Sequence, residues 1–273
     1  DEILREIEEK SKKLALGLNV KGLLNIQFAI KGEELFILEA NPRASRTMPF
    51  VAKVTGNQII KAGTLLMLGY SIDEVKNKTK YLSSSTDKVA IKKAIFPWSR
   101  FPAEDTMLGP EMKATGEVLG VGKEFGTALN KAYAAAGVEI NDKEKGVFVT
   151  LSDDEKPNFI KTIHKYLELG FTLYATEGTG KFLKTIGINS VIVGKADDSG
   201  QTSLTIIEDK LVSLVINTPT YANELTDGWK IRRLSHETGV AVVSSVREAD
   251  AFIQAFLNQN LVLEDMEVIQ DVS

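Results

Sequence analysis

Glu39-Ala-Asn-Pro-Arg-Ala-Ser-Arg46 sets a carboxylate, an amide and two guanidinium groups within eight residues, just as an apolar strand ends. Such a set suits a metal ion bound to a polyphosphate. Magnesium is a hard cation that takes oxygen ligands at about 2.0–2.1 Å, usually one or two carboxylates together with substrate phosphates. Arginines add planar donor forks that neutralise charge on a transferring phosphoryl group.

Working outward, Gly22-Leu-Leu-Asn-Ile-Gln-Phe-Ala-Ile30 and Glu34-Leu-Phe-Ile-Leu-Glu39 read as two strands joined by a short turn at Gly32 and Glu33. Antiparallel partners keep a constant index sum, so a reversal near residue 33 sets Gln27 opposite Glu39. Side chains alternate faces with a period of two, which puts Asn41 on the same face as Glu39. Gln27, Glu39 and Asn41 are thus expected to converge as oxygen ligands for magnesium or manganese. A polar hairpin face carrying ordinary surface ion pairs is the alternative that a short motif leaves open.

With these residues in hand, a resemblance emerges. Gln27 together with Glu39-Ala-Asn41-Pro-Arg43-Ala-Ser-Arg46-Thr-Met-Pro-Phe-Val-Ala-Lys53-Val-Thr-Gly56 resembles the end of an ATP-grasp domain. More narrowly, it is similar to the second synthetase half of the carbamoyl-phosphate synthase large subunit. Phe96-Pro-Trp-Ser-Arg-Phe-Pro102 and Leu108-Gly-Pro-Glu-Met-Lys-Ala-Thr-Gly-Glu-Val-Leu-Gly120 also resemble that family, in its order. There they lead into a C-terminal allosteric domain of the methylglyoxal-synthase-like type. The resemblance implies an α/β chain: the α+β C-terminal lobe of an ATP-grasp domain in residues 1–140, then a methylglyoxal-synthase-like, parallel five-stranded α/β domain in 141–273.

Composition is compatible with this. The chain has 273 residues, 43% hydrophobic and 26% charged, an ordinary globular balance. It has no cysteine, so disulfides and thiolate metal sites are excluded, and a cytoplasmic location is expected. No apolar run reaches the roughly 18 residues of a membrane span. A net charge of −4, spread along the chain, argues against nonspecific nucleic-acid binding. The chain starts without methionine inside an apparent amphipathic helix carrying Ile3, Leu4, Ile7, Leu14 and Leu18. It therefore reads as a C-terminal fragment, or a separately made segment, of a larger polypeptide that supplies the other ATP-grasp lobe.

Further along, a helix is expected near 57–68, a short one from Asp73, a loop over 81–88, and a strand over 88–96 that returns to the first domain. A helix over 124–136 stops at Gly137, and the charged run 141–145 marks the boundary. Beyond it, strands at 146–151, 172–175, 190–193, 211–216 and 240–244 alternate with helices at 154–169, 179–186, 202–209, 224–237 and 246–258. This alternation implies a parallel sheet covered on both faces.

Parallel α/β sheets bind ligands beyond the carboxyl ends of their strands. The candidate loops are 150–156, the glycine-rich turn Thr176-Glu-Gly-Thr-Gly-Lys181, and Gly194-Lys-Ala. Free N–H groups at a helix start, flanked by Thr176 and Thr179, form an anion site to which Lys156 and Lys195 add positive charge. Read alone, such a turn needs glycine only for backbone reasons, and the lysines fit a solvated surface. The resemblance assigns Lys156, Thr176, Thr179, Lys195, Asn217 and Thr218 to the phosphate and ribose of a regulatory nucleotide such as UMP or IMP. Pro219 departs from the family's Asn-Thr-Thr and removes one hydroxyl. Arg232 and Arg233 match a family pair, and equally fit a salt-bridging helix face. Lys93, where an acidic residue is expected, with Val242 and Ser244 in place of tyrosine and threonine, implies that ornithine does not regulate the protein. His164, His236, Trp98 and Trp229 read as structural.

The resemblance implies ATP-dependent phosphorylation of carbamate, with Arg43 and Arg46 clamping the phosphoryl group and carbamate, and ammonia supplied by a glutamine amidotransferase small subunit. The isolated chain is expected to be inactive. A stand-alone nucleotide-sensing module is the second reading. Methylglyoxal synthase chemistry needs a carboxylate that Asn217-Thr-Pro does not supply. A bifunctional purine-synthesis enzyme would lack the Asn-Pro-Arg motif.

Overall fold

The computed structural model describes residues 2–80, 87–101, 105–107, 112–138, 140, 145–218 and 226–258. The chain divides into two compact units, the division falling between Asp87 and Lys88.

The first unit contains α1 (Glu2–Gly17), β1 (Asn25–Lys31), β2 (Glu34–Asn41), α2 (Thr47–Thr55), α3 (Ile59–Met67) and α4 (Ile72–Lys78). Strands β1 and β2 form the expected hairpin. Its two-residue turn uses Gly32 at φ +63°, a left-handed conformation in which a Cβ is strained. From Lys31↔Glu34 to Phe28↔Ile37 the pairing follows that turn, with an index sum of 65. A bulge at Leu38 then advances β2 by one residue, giving Gln27↔Glu39 and Asn25↔Asn41. Helix α1 is held to the hairpin by Lys10 Nζ, which donates to the Leu35 carbonyl at 2.9 Å. Helix α4 starts at a capping box, where Ser71 and Glu74 satisfy each other's backbone N–H groups. Helix α2, which the sequence reading left unassigned, ends at Gly56 in the left-handed region.

The second unit opens with β3 (Val89–Ile95) and β4 (Gly116–Gly122), an antiparallel pair on which α5 (Phe125–Ala135) packs. There follow β5 (Gly146–Thr150), α6 (Lys156–Glu168), β6 (Leu173–Thr176), α7 (Glu177–Thr185) and β7 (Val191–Val193). The chain closes with α8 (Thr205–Glu208), β8 (Val212–Asn217), α9 (Asp227–Thr238), β9 (Ala241–Val243) and α10 (Val246–Leu257). Strands β5 to β9 form a five-stranded sheet, parallel throughout, in the order β7-β6-β5-β8-β9. The chain fills one side of β5 first and then crosses to the other, so a topological switch point lies between β5 and β8.

Both faces of this sheet are buried. Val147, Val149 and Ile216 point to one face, against Phe159, Ile163, Phe252 and Phe256. Phe148 and Val215 point to the other, against Ile206, Ile207 and Ile231. This explains why β5 reads as an unbroken apolar run rather than an alternating one.

The 88–96 strand, expected to return to the first domain, is β3 and lies in the second compact unit. It pairs with β4, and the β4 backbone lies directly on α5: a Cβ added at Gly120 would sit 2.0 Å from the Ala128 carbonyl oxygen. Helix α5 in turn packs on α10, with the Tyr133 and Phe252 rings edge-on at 4.6 Å and Asn130 donating to the Ala255 carbonyl at 2.6 Å. The compact units thus divide at 87/88, whereas the domain boundary was expected at 140/141. The loop expected over 81–88 and the boundary run 141–145 lie almost wholly outside the described residues.

Gly120→Val should lower unfolding stability by about 3 kcal/mol or more, because the new methyls meet backbone and not a movable side chain. A urea melt followed by circular dichroism reads this as a lowered midpoint.

Candidate functional site

In the first unit, the hairpin brings Gln27, Glu39 and Asn41 to one face of a two-stranded ladder, Gln27 and Glu39 as direct partners. Asn25, which the sequence reading omitted, faces Asn41 directly and adds a fourth oxygen-bearing side chain. A constant index sum pointed to it, since Asn25 lies two residues before Gln27. The donor set is one carboxylate and several amides, all hard oxygens, and fits a divalent cation whose charge is balanced mainly by bound phosphates. Among the described residues no group of three His, Cys, Asp or Glu side chains is placed to hold a metal ion.

The two arginines follow on the loop into α2. The Arg43 N–H donates to the Asn41 carbonyl at 2.8 Å, which turns the chain sharply after the last ligand. Its guanidinium donates to the Ala44 carbonyl at 3.0 Å and is exposed. Arg46 occupies the N-cap of α2, where the Met48 N–H donates to the Ser45 carbonyl at 3.2 Å, and is also exposed. Both cations therefore stand at a helix N-terminus, a local environment that favours anions.

In the second unit, the carboxyl ends of the parallel strands surround a cavity of about 550 Å³. Thr176 and Lys195 line it, with Gly178 from the start of α7. Lys156, Thr179, Asn217 and Thr218 do not line it. Thr179 is buried, accepting from the Leu151 N–H at 3.0 Å and lying 3.3 Å from the Thr176 hydroxyl. Thr218 accepts from the Ser152 N–H at 2.7 Å, while its own N–H donates to the Thr150 carbonyl at 3.1 Å. Those bonds close the crevice between β5 and β8. Lys156 is ion-paired with Asp153 and lies 6.0 Å over the Phe182 ring. Asp198, Ser203, Asp227 and Ile231 line the cavity as well. Little in the residue pattern marks these out, because they come from a loop and a helix start without a repeating pattern. Pro219 and Thr220 lie outside the described residues.

Asn217 accepts from the Arg232 guanidinium at 2.7 Å. The same guanidinium reaches Asp105 through two further bonds, at 3.1 and 2.5 Å. Arg233 donates to the carbonyls of Phe101 and Trp98 at 2.6 and 2.8 Å, and to Glu237 at 2.7 Å. Both arginines are only 6% exposed and both are salt-bridged, to Asp105 and Glu237, so the structure brings them together as a buried structural clamp.

Near α5, the Lys93 ammonium lies 4.2 Å from the centre of the Tyr133 ring. Burial lowers its pKa, opposed by the charge of Glu248. Glu248 is engaged by the Ser244 N–H at 2.9 Å. His236 lies 6.0 Å from Trp98 and near Lys93, Arg233 and Arg232, and burial together with those charges lowers its pKa to about 4.

Comparison with known proteins matches this architecture. Residues 1–75 match the family model of the carbamoyl-phosphate synthase L chain, ATP binding domain, and residues 158–244 that of the MGS-like domain. The chain thus joins a segment of an ATP-binding domain to a methylglyoxal-synthase-like α/β domain. More particularly, it is similar along most of its length to the C-terminal part of the carbamoyl-phosphate synthase large chain. It is 39% identical to the large chain's C-terminal section from Aquifex aeolicus, over 93% of this chain and 50% of that one. It is 38% identical to that of Methanocaldococcus jannaschii, over 93% and 42%. It is 37% identical to the large chain of Synechocystis sp., over 99% and 25%. The chain therefore spans half or less of the length of these relatives. No helix among the described residues is long and apolar enough to cross a membrane.

Two outcomes follow from the buried charges. Asp105→Ala leaves the Arg232 guanidinium short of its carboxylate and should cost about 3 kcal/mol in a denaturant melt. His236, with its folded pKa below its unfolded one, binds a proton in the unfolded chain alone between pH 6.5 and about 4. Stability should therefore fall as pH drops through that window, modestly because His236 keeps contact with solvent, and His236→Phe should flatten the decline.

Proposed function

We propose that the chain acts as the C-terminal portion of a carbamoyl-phosphate synthase large subunit, joining part of an ATP-dependent carbamate-phosphorylating site to a nucleotide-sensing domain. The observation that carries this reading is the Gln27↔Glu39 pairing, with Asn41 on the same face and two arginines just beyond. In this reading Gln27, Glu39 and Asn41 hold magnesium or manganese against the ATP phosphates. Arg43 and Arg46, beside the α2 N-terminus, stabilise the transferred phosphoryl group and orient carbamate. The bound metal supplies charge neutralisation, and the side chains supply positioning, which is most of what phosphoryl transfer asks of a protein.

The rest of an ATP-grasp domain is the partner this reading requires, with a glutamine-hydrolysing small subunit as the ammonia source. Exposed apolar side chains in the first unit, Ile30, Phe36, Leu38 and Met67 among them, support a covering partner for it. UMP or IMP is the proposed ligand of the second-unit cavity, its phosphate held by Thr176, the α7 N-terminus and Lys195. Thr179, Asn217 and Thr218 act from behind, fixing the strand ends. Lys156 approaches from the neighbouring helix once released from Asp153. Ornithine is not expected to act, since Lys93 supplies the cation itself.

Stand-alone nucleotide sensing is the second reading, favoured by the complete core of the second unit beside the sparse one of the first. The two are separated by assaying ADP release with carbamate, for this chain alone and mixed with the preceding part of a relative's large chain. Turnover in the mixture, lost in Glu39→Ala, supports the first reading; binding of nucleotide with no turnover in either supports the second.

Calorimetric titration with UMP and IMP tests the cavity. Each charge-assisted phosphate contact contributes about 1.5–3 kcal/mol, so Thr176→Ala combined with Lys195→Ala should weaken binding at least about a hundredfold. Equal affinity in the double variant would place the nucleotide elsewhere.

A further inference from the structure

The cavity wall holds one hydroxyl that the fold leaves unused. In the run Thr202-Ser203-Leu204-Thr205, the two threonines satisfy each other. The Thr202 N–H donates to the Thr205 hydroxyl at 2.8 Å, and the Thr205 N–H to the Thr202 hydroxyl at 3.2 Å. Ser203 lies between them, lines the cavity and is 1% exposed. Its Oγ has no hydrogen-bond partner among the described residues. An unpaired buried hydroxyl costs free energy, and native proteins seldom keep one without a use for it.

The position of Ser203 is fixed by the backbone. Its N–H donates to the Gly194 carbonyl at 3.0 Å, and Gly194 and Thr202 form a parallel bridge. Ser203 is thus tied to the strand end that carries Lys195. A turn about χ1 reorients the hydroxyl without breaking any bond, since it makes none.

The cavity is also chemically divided. Its charged residues are Lys195, Asp198 and Glu177, exposed at the mouth, and Asp227, which is half-buried at the start of α9. Its buried residues are Val193, Ile231 and Ser203, two apolar side chains and a single neutral hydroxyl. An anion would be poorly placed at that depth, where none of the buried lining residues is a cation. An uncharged, partly apolar group with a hydrogen-bonding edge fits well.

We infer that Ser203 is a specificity-determining residue of this cavity: its hydroxyl reads the uncharged portion of a nucleoside monophosphate whose phosphate stays at the mouth. The inference rests on the nucleotide-sensing reading above and adds to it the group that tells one ligand from another.

Calorimetry with UMP, IMP and inorganic phosphate, on the wild-type chain and on Ser203→Ala, tests it. The variant should bind the better nucleotide about five- to tenfold more weakly, the effect of one lost neutral hydrogen bond, and inorganic phosphate unchanged. Its ligand-free thermal midpoint should equal or exceed that of the wild type, because an unpaired polar group has been removed; its ligand-induced rise should be smaller. Nucleotide affinity equal in the two proteins would overturn the role of Ser203. A parallel loss for inorganic phosphate would overturn it too, by moving the hydroxyl to the anion end. Failure of the wild-type chain to bind either nucleotide would instead overturn the underlying reading of the cavity, and with it this inference.

Discussion

Burial of β5 on both faces is the constraint from which the second unit's arrangement follows. Val147 and Val149 fill one core and Phe148 the other, so helices must cover the sheet on each side. A sheet covered in this way is reached by right-handed crossovers, and every strand then ends at the same edge. The strand-to-helix loops gather there, and the cavity opens among the ends of β5, β6 and β7 and the start of α9. The cavity is a consequence of packing before it is a site. What makes it one is the choice of residues at the strand ends.

Those residues divide into two kinds. Thr176 and Lys195 face the cavity, while Thr179, Asn217 and Thr218 are spent on protein partners. The second kind is not idle. Thr150 ends β5 and Leu151 and Ser152 open the loop after it, and the threonine bonds hold that loop against its neighbours. A polar group satisfied internally loses little when a ligand arrives, and the loop it fixes need not be ordered at that moment. Arg232 extends this order outward, joining Asn217 at a strand end to Asp105 on the segment between β3 and β4. Being buried, it holds that connection through contacts whose loss would strand a charge, which makes the geometry firm.

How much of this could be read from the residues depended on the range of each interaction. The parallel strands were legible because each is a short apolar run ended by glycine or polar residues. The hairpin that pairs Gln27 with Glu39 was legible too, although by a route that differs in detail: the turn alone would set Gln27 opposite Leu38, and the bulge restores Glu39 as its partner. An index-sum argument anchored at residue 33 absorbs that extra residue without seeing it. Helix α2 went unassigned because Thr47-Met-Pro-Phe-Val-Ala-Lys is short and carries a proline and β-branched residues that lower helix propensity. The allegiance of β3 was misjudged because it depends on Gly120 meeting α5 and on α5 meeting α10, contacts between distant residues. The inward turn of Arg232 and Arg233 was equally invisible, since a charged pair on a helix gives no sign of which face is covered.

The two units also differ in how far each can sustain itself. In the second, side chains such as Phe148, Phe159, Tyr166 and Phe252 are fully enclosed. In the first, Leu35 and Val75 are the buried large apolar residues among those described, while Leu16, Ile30, Leu38, Met67, Leu68 and Ile72 are more than half exposed. Apolar surface removed from water contributes about 25 cal/mol per Å², so a unit that buries so little gains little from its own folding. Whatever covers that surface adds its binding free energy to the stability of the hairpin beneath. The oxygen ligands on β1 and β2 would then be most firmly held when the covering surface is in place. Assembly and metal-site order are on this view one equilibrium, because the same hairpin that presents Gln27 and Glu39 on one ladder also carries the exposed Ile30 and Leu38.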